Sequence, residues 1–302
     1  GLVRAFERNE TSGEKEVSVL FEEADGLWLS MQGKSRKGSS QGKKELKVGV
    51  IYEGWEKRYP SSKEYKTVEK MAFAGYMKPD QFKALRDAAI AEKYNVDEIR
   101  YRILGGDGAA WIRNGHDTDT DIFQLDAYHL AQSVVRNVGD KQVGRHILRW
   151  LKAGDFEKVF DKIQALKYSC GGIESEINKL TELEEYIRKN MDGIVSYKDR
   201  EQVVMPKVPA GMEYRNLGTM ERNVDIFAKR MKEAKSWSER GATHLSKMIA
   251  LKMGKGFNDK IAALISGKLS ERLVERFEEV IRNTWSGIHE AVRKSAYPVH
   301  RG

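Results

Sequence analysis

The sequence predicts an α/β protein in which a strand-rich first third is followed by a long helical block. Two observations indicate this class: alternating and β-branched runs crowd the N-terminal third, and helical periodicity fills the rest. The 302 residues are 40% hydrophobic, which allows a sizeable core in one large domain or two ordinary domains. A pure β-sandwich and a pure helical bundle are therefore excluded.

The first predicted strands enclose an acidic residue beside a glycine. Val17, Val19 and Phe21 alternate along the chain, and residues 27–29 resume an apolar run after Ala24-Asp25-Gly26. A short Asp-Gly segment between two such runs predicts a hairpin with a tight turn at residues 24–26. Asp25 is thus expected at the end of a strand.

Three further strands are predicted downstream. Residues 48–52 are rich in β-branched and aromatic side chains, which favour strands. Residues 101–104 form the next, ending at Gly105-Gly106-Asp107-Gly108, and residues 123–125 form the last. The polar residues 32–47 between these strands predict a loop or a long hairpin tip.

Helices are predicted from residue 80 onward. Asp80 is the expected N-cap of a helix over residues 80–94, and Asp126 is the expected cap of the helix that carries His129. From there to about residue 198 the periodicity is helical throughout. Residues 198–218 contain two prolines and predict a connector; a helix over 219–234 and two more helices follow.

The charge of the chain indicates a polyanionic partner. Lys and Arg number 53 against 45 Asp and Glu, for a net charge of +8. Nucleic acid and an anionic membrane surface are the natural candidates. A single Cys excludes a disulfide framework and a multi-Cys zinc site. No apolar run approaches the length of a membrane span, so we expect a soluble intracellular protein.

Asp25 and Asp107 each stand beside glycines where a strand is predicted to end. Ligands of α/β sheets often lie beyond strand ends, and converging carboxylates need a cation. Oxygen ligands without a Cys or His cluster favour Mg²⁺ or Mn²⁺ over zinc. The alternative is that Asp and Gly are simply common in turns.

A third acid would complete such a site. Glu221 lies at the start of the predicted helix after the connector, beside its apolar stripe. Two ions held by three carboxylates can stabilise the attacking and leaving oxygens in phosphodiester displacement. The alternative is that Glu221 only complements the helix dipole. Together with the basic charge, the pattern favours phosphoryl transfer on nucleic acid.

Five short segments occur in a characteristic order. They are EADGLWL at residues 23–29, VIYEGW at 50–55, GDGAAW at 106–111, MERNV at 220–224 and SWSERGA at 236–242. Each is weak alone, but together they resemble the ISLre-type insertion-sequence transposases of bacteria over essentially the whole chain. Members of that family extend further at the N-terminus, where a DNA-end-binding region is expected.

The resemblance implies a DDE transposase with a ribonuclease H-like core, akin to Mutator-like and hAT-like enzymes. In that α/β fold a mixed sheet is flanked by helices, and an all-helical insertion precedes the last catalytic helix. Asp25, Asp107 and Glu221 match the order of the catalytic acids, which bind two Mg²⁺ or Mn²⁺ ions. The implied parts are residues 1–137 and 211–302 for the core and 138–210 for the insertion.

A further motif of those relatives matches Asp126-Ala127-Tyr128-His129. The relatives carry Cys or Asp, two residues and then His shortly after the second Asp, which places the His near the scissile phosphate or the metal site. The resemblance therefore implies a catalytic role for His129. The alternative is that Asp126 caps a helix and His129 packs or hydrogen-bonds beneath it.

DNA contacts are expected from a basic cluster and one aromatic residue. Phosphate contacts by a flexible basic loop beside Asp25 would make binding fall steeply with salt. Trp150 is a candidate for stacking on a flipped base. The alternatives are a solvated hairpin tip and a Trp in the core. The basic residues of the cluster are Lys34, Arg36, Lys37, Lys43, Lys44 and Lys47.

The sequence therefore predicts a DNA transposase that cleaves and transfers the strands of an insertion sequence. Two alternatives stay open: a ribonuclease H-like structure-specific nuclease or resolvase with the same triad, and a domesticated, non-catalytic DNA-binding protein. The expected partners are transposon ends, target DNA and, by family analogy, further copies of the chain, with no membrane partner. The expected location is the bacterial cytoplasm at the nucleoid, and no nucleotide cofactor is implied.

Overall fold

The computed structural model describes residues 13–37, 41–113, 121–233 and 235–254 of the chain. Its strands form two sheets, one of five strands and one of two strands. The strands in the described ranges are β1 (Val19–Ser30), β2 (Lys43–Tyr52), β3 (Gly54–Lys57), β4 (Tyr65–Val68), β5 (Met71–Gly75), β6 (Tyr101–Gly106) and β7 (Asp121–Leu125).

The large sheet is mixed and has the order β5-β2-β1-β6-β7. Its central strand β1 pairs antiparallel with β2, which pairs antiparallel with β5. On its other side β1 pairs parallel with β6, and β6 pairs parallel with β7. The parallel half brings the carboxyl ends of β6 and β7 to one edge of the sheet, where ligands of α/β proteins bind.

The longer helices follow the order that the sequence predicts. None of the helices in the described ranges combines the length and apolarity needed to cross a bilayer. The helices are α1 (Lys34–Lys37), α2 (Pro79–Lys93), α3 (Ala110–Arg113), α4 (Ala127–Val138), α5 (Lys141–Ala153), α6 (Phe156–Ser169), α7 (Glu174–Ile194), α8 (Met220–Met231) and α9 (Glu239–Met253).

The sheet is covered on both faces, as its alternating side chains require. Phe21 and Leu27 of β1 point to a core shared with α8 and α9. Leu20 and Ala24 point to a second core that contains residues of α2 and of all four helices from α4 to α7. A mixed five-stranded sheet between two helical layers confirms the predicted ribonuclease H-like α/β fold.

The predicted hairpin at residues 24–26 is wrong. Strand β1 runs unbroken through Asp25 and Gly26, which lie opposite Val48 and Lys47 of β2. Pairing with β2 continues through residues 24–26 and outweighs the turn preference of Asp-Gly, since strand formation depends strongly on context. Gly26 serves close packing instead, because a Cβ there would lie 2.2 Å from Glu45 Oε1.

Two errors in the strand prediction offset each other. The two strands predicted around residue 25 are one strand, and β5 was not predicted, so the large sheet still has five strands. The segment Met71–Gly75 contains two alanines and no β-branched residue, which gives it weak strand propensity. The small sheet of β3 and β4 was also not predicted.

The short helices α1 and α3 were not predicted, and the longer helices agree with the predictions apart from two details. Helix α2 begins at Pro79, with Lys78 rather than Asp80 as N-cap residue, because proline is well suited to the first helical position. The helix predicted over 219–234 ends at Met231. The last predicted helix lies outside the described residues.

Candidate active site

Asp25 and Asp107 lie on neighbouring strands at corresponding positions. In the parallel pairing of β1 with β6, Glu23 lies opposite Gly105. Two residues further along each chain come Asp25, inside β1, and Asp107, which directly follows β6. The register therefore brings the two predicted acids together at the carboxyl end of β6, although Asp25 lies within a strand rather than at its end.

The environment of Asp25 disfavours its charged form. Burial, together with the nearby charges of Asp107 and Asp126, raises the pKa of Asp25 from 3.8 to about 6. The N–H of Gly26, which donates a 2.6 Å hydrogen bond to Asp25 Oδ1, and the charge of His129 act against this rise. A cation beside the two carboxylates would relieve the repulsion that contributes to it.

The backbone around Asp107 is held by the helical block. Asp107 Oδ1 accepts a 2.8 Å hydrogen bond from the N–H of Ala109, and its main-chain oxygen accepts a 3.0 Å hydrogen bond from the hydroxyl of Tyr186 in α7. Gly108 adopts φ of 89°, and a Cβ there would lie 2.5 Å from Oδ1 of the buried Asn190. Helix α7 thus fixes the segment that presents the second acid.

Asp126 and His129 join this group through main-chain bonds. The N–H of Asp126 donates to the oxygen of Gly106 at 2.8 Å, which ties the end of β7 to the end of β6. Asp126 Oδ1 accepts the N–H groups of Tyr128 and His129 at 2.7 and 3.0 Å and caps α4. The predicted cap is therefore confirmed, and His129 is carried on the first turn next to the two acids.

Electrostatic interactions link His129 to the carboxylates of Asp25, Asp107 and Asp126. His129 Nδ1 lies 3.4 Å from Asp126 Oδ1. This contact, and then the charges of Asp25 and Asp107, raise the pKa of His129, although its partial burial acts the other way. Burial favours a higher pKa for Asp126, but its bonds to His129 and the main chain outweigh that and lower it. The imidazolium form is stabilised inside a cluster of three carboxylates.

Glu221 is exposed on the first turn of α8. In the part of the chain that the structure describes, no group of three or more His, Cys, Asp and Glu side chains is arranged to hold a metal ion. The structure therefore brings together Asp25, Asp107 and His129 of the predicted residues. A shared metal site with Glu221 stays a prediction.

Glu23 is a residue of this region that the sequence did not single out. It is only 2% exposed and shares a face of β1 with Asp25, because side chains alternate along a strand. Its carboxylate accepts hydrogen bonds from Tyr52 and from the residues that begin α8. Burial raises the pKa of Glu23, and these bonds act against the rise. An acidic residue within an apolar strand segment was the available signal.

The basic residues predicted to bind DNA divide into two groups. Lys34, Arg36 and Lys37 are exposed on α1, between β1 and β2. The expectation that the other three lie in a flexible loop is wrong, since β2 begins at Lys43 and the pairing with β1 extends across them.

The three strand lysines differ in exposure. Lys43 is exposed, and Lys44 forms a 2.6 Å ion pair with Glu239. Lys47 is 8% exposed, pairs with Glu45 at 3.1 Å and lies 5.0 Å from the centre of the Trp111 ring. Lys47 is thus packed into the protein and is the least available of the six for a phosphate.

Trp150 is half-buried on α5. It packs against the core that α4 to α7 share with the sheet, and its ring centre lies 6.1 Å from that of His146. Its packing therefore supports the alternative that Trp150 belongs to the core. Stacking of Trp150 on a flipped base stays a prediction.

The donor set fits a hard divalent cation in its chemistry. Asp25 and Asp107 supply carboxylate oxygens, which Mg²⁺ and Mn²⁺ prefer, and their mutual repulsion adds to the effect of burial in raising the pKa of Asp25. A cation between them would offset that repulsion. Asp25 and Asp107 are thus the residues of this cluster suited to hold such an ion.

Comparison with known proteins matches most of the chain to one family. The family described as "Uncharacterised protein family (UPF0236)" matches residues 2–262. A UPF0236 protein of Caldanaerobacter subterraneus subsp. tengcongensis, whose name joins eleven gene loci, is 31% identical over 199 residues, covering 65% of this chain and 40% of the relative. A second one from that organism, whose name joins four loci, is 30% identical over 203 residues, with 65% and 40% covered. The chain spans about two fifths of the length of these relatives.

A comparison with solved structures found the Drosophila P element transposase strand transfer complex. The match covers 93% of this chain and 75% of that chain, at 9% sequence identity and a TM-score of 0.25.

Proposed function

The chain belongs to the UPF0236 family, and we propose that it is the catalytic part of a DNA transposase. It cleaves DNA at the ends of an insertion sequence and joins the freed ends to target DNA with divalent metal ions. One observation carries the proposal: the register of β1 and β6 brings Asp25 beside Asp107 in a ribonuclease H-like sheet.

Each residue of the cluster has a distinct part in this reaction. Asp25 and Asp107 would hold Mg²⁺ or Mn²⁺, with Glu221 as the third carboxylate. When bound, two such ions stabilise the attacking and leaving oxygens of a phosphodiester. The Ala109 N–H fixes the Asp107 carboxylate for this purpose. A ligand that is held in place in advance costs little reorganisation when substrate arrives.

His129 acts on the substrate rather than on the ion. The contact with Asp126 and the nearby acids raises its pKa, so the imidazolium form is stabilised relative to that of a free histidine. It donates a hydrogen bond to an oxygen of the scissile phosphate and stabilises charge there. Asp126 holds the ring beside the two metal-binding acids.

The genomic distribution of the relatives supports mobility. The name of one relative joins eleven loci of a single bacterium, and that of another joins four loci of the same organism. An element that copies or moves itself produces such repetition, whereas an ordinary metabolic enzyme needs one or two genes. This support is independent of the geometry of the site.

A cleavage assay with the protein as its gene encodes it tests the proposal. The substrate is a DNA duplex carrying the sequences that flank the gene, and Mg²⁺ is compared with EDTA. We expect Mg²⁺-dependent nicking at the element ends, loss of nicking in Asp25→Asn and Asp107→Asn, and unchanged DNA binding by both variants. Asp140→Asn is the matched control, because Asp140 caps α5 and Asn caps helices equally well.

Each outcome of that assay separates the candidate functions. Nicking that persists in Asp25→Asn would contradict the assignment of the acids. Cleavage without joining of pre-cleaved ends to target DNA would indicate a nuclease or resolvase. Binding of the duplex without any cleavage by the wild-type protein would indicate a non-catalytic DNA-binding protein.

A further inference from the structure

Both oxygens of the buried Glu23 carboxylate accept several hydrogen bonds from N–H and O–H groups. Glu23 Oε2 accepts the N–H groups of Gly218, Thr219 and Met220 at 3.0, 2.9 and 3.1 Å. Glu23 Oε1 accepts the hydroxyl of Tyr52 at 2.6 Å and the hydroxyl of Thr219. Every one of these partners is a donor, so the site is built for an acceptor with two oxygens.

These bonds join two elements that carry predicted catalytic acids. Glu23 lies two residues before Asp25 in β1, and its partners Gly218, Thr219 and Met220 directly precede Glu221 in α8. The Thr219 side chain makes no capping bond within its own helix. The cap of α8 is therefore supplied from the strand, by a residue 196 positions away from Thr219.

A carboxylate is the suitable group for this position. The first N–H groups of a helix have no partner inside the helix and carry its positive dipole end, which an anion stabilises. Glutamine has the same shape, but it carries no negative charge, and its NH₂ group fits only at the Oε1 position, where the hydroxyls of Tyr52 and Thr219 would have to turn and accept. An amide would thus remove the charge that stabilises the start of α8 and reverse two hydrogen bonds, while leaving the side-chain volume unchanged.

We propose that Glu23 is a positioning residue that sets the place of Glu221 relative to Asp25 by capping α8 from β1. The role rests on the proposed function, since it concerns the third carboxylate of the metal site. Glu23 touches neither substrate nor metal. It acts through the main chain of residues 218–220, so that the strand bearing the first acid also fixes the start of the helix bearing the third.

The test compares Glu23→Gln with Glu53→Gln in the protein as its gene encodes it. Glu53 is also buried, at 7% exposure, and accepts a 3.0 Å hydrogen bond from Tyr94, and its ion-pair partners are Lys15 and Lys93, none of which belongs to α8. Hydrogen–deuterium exchange follows the amides of residues 218–220, and cleavage of the element-end duplex is measured against Mg²⁺ and DNA concentration.

We expect three changes in Glu23→Gln that Glu53→Gln does not show. Amides 218–220 exchange faster, and half-saturation by Mg²⁺ moves to a concentration about 10- to 100-fold higher, as when the support of a metal ligand is lost. The kcat falls by up to about 100-fold, the cost of a small misplacement of a reacting group, and KM for DNA is unchanged because DNA binding is untouched.

Other results would overturn the proposal. Faster exchange with an unchanged Mg²⁺ requirement and kcat would make Glu23 a cap of structural importance only, and unchanged exchange would show that it does not hold α8. If Glu23→Gln does not fold, Thr219→Ala removes the hydroxyl that donates to Glu23 and accepts from Asn223 Nδ2 but keeps the three main-chain bonds to Glu23, and the same changes are expected on a smaller scale. Absence of any cleavage by the wild-type protein would refute the proposed function instead. In that case calorimetric titration with Mg²⁺ replaces the kinetic measurements. Equal Mg²⁺ affinity in the wild-type protein and in Glu23→Gln would then refute the positioning role.

Discussion

The hydroxyl of Tyr186 donates a 3.0 Å hydrogen bond to the main-chain oxygen of Asp107. Tyr186 belongs to α7, the longest helix in the described part of the helical block, whereas Asp107 directly follows a strand of the sheet. Asn190, about one helical turn further along α7, packs against Gly108. The helical block is therefore built into the candidate site rather than added beside it.

Replacing Tyr186 with Phe should impair the site more than the fold. The variant loses one hydrogen bond, which contributes about 1 kcal/mol to the free energy of unfolding, and it frees the backbone of Asp107. We expect a small drop in stability in urea denaturation and a clear drop in Mg²⁺-dependent cleavage. Tyr168→Phe is the control, because Tyr168 on α6 is 88% exposed. Equal cleavage by the two variants would contradict this role.

Asp25→Asn should change how stability depends on pH. The pKa of Asp25 is raised from 3.8 to about 6, so the folded state holds its proton more tightly than the unfolded state. The contribution of Asp25 to the free energy of unfolding is full below about pH 3.8 and is lost as the pH rises to about 6. The total loss is at most about 3 kcal/mol. Asn has no proton to lose and should flatten this part of the profile.

Urea denaturation between pH 4 and 7 in EDTA measures this difference. At pH 7 the variant should be more stable than the wild-type protein, since it carries no buried charge beside Asp107. Addition of Mg²⁺ should stabilise the wild-type protein at pH 7 and have little effect on the variant. Parallel pH profiles for the two proteins would show that Asp25 is not the group responsible.

The order of the elements could be predicted because it depends on local patterns. The segment 101–104, the Asp126 cap and the helical periodicity between residues 126 and 198 all have local causes, and the structure confirms them. Asp25 marks the limit of such reasoning. Its Asp-Gly pair has the local chemistry of a turn, yet the pairing with β2 continues through Asp25 and Gly26 and extends the strand.

In the candidate site, too, features with local causes could be predicted, whereas contacts between distant segments could not. The motif spacing predicts His129 next to Asp126, and the parallel pairing of β1 with β6 and of β6 with β7 then brings both near Asp25 and Asp107. The role of Glu23 could not be predicted, because its partners begin a helix nearly 200 residues later in the chain. Likewise, the packing of Lys47 on Trp111 depends on the register of β2 rather than on its local sequence.

His129→Asn should reduce cleavage strongly and leave folding intact. His129 is half-exposed, and its Nδ1 lies 3.4 Å from Asp126, so its removal leaves little buried surface uncovered. Removal of one hydrogen-bond donor that stabilises charge on the reacting group costs about 100- to 1,000-fold in kcat. We expect a loss of kcat in that range, measured with the element-end duplex at saturating Mg²⁺. The exposed His146 on α5 gives the control variant His146→Asn; similar rates for both variants would assign His129 to helix packing.

Neutralising the exposed cations of α1 should weaken DNA binding without abolishing metal-dependent chemistry. Lys34, Arg36 and Lys37 are exposed between β1 and β2. Removing one cation that neutralises a DNA phosphate lowers the slope of log K against log salt concentration by about 0.9. We expect the triple Gln variant to bind the duplex more weakly at low salt, with a smaller salt slope and a raised KM.

The matched control removes the same charge from another surface. Lys158, Lys179 and Lys189 are exposed on α6 and α7, and their triple Gln variant should keep the salt slope of the wild-type protein. Fluorescence anisotropy between about 50 and 200 mM salt, a range over which such binding weakens steeply, resolves the difference. If the slope falls equally in both triple variants, binding responds to net charge alone, and α1 does not bind DNA. If it falls only in the α1 variant, the DNA runs past the segment that joins β1 to β2, next to the strand that bears Asp25.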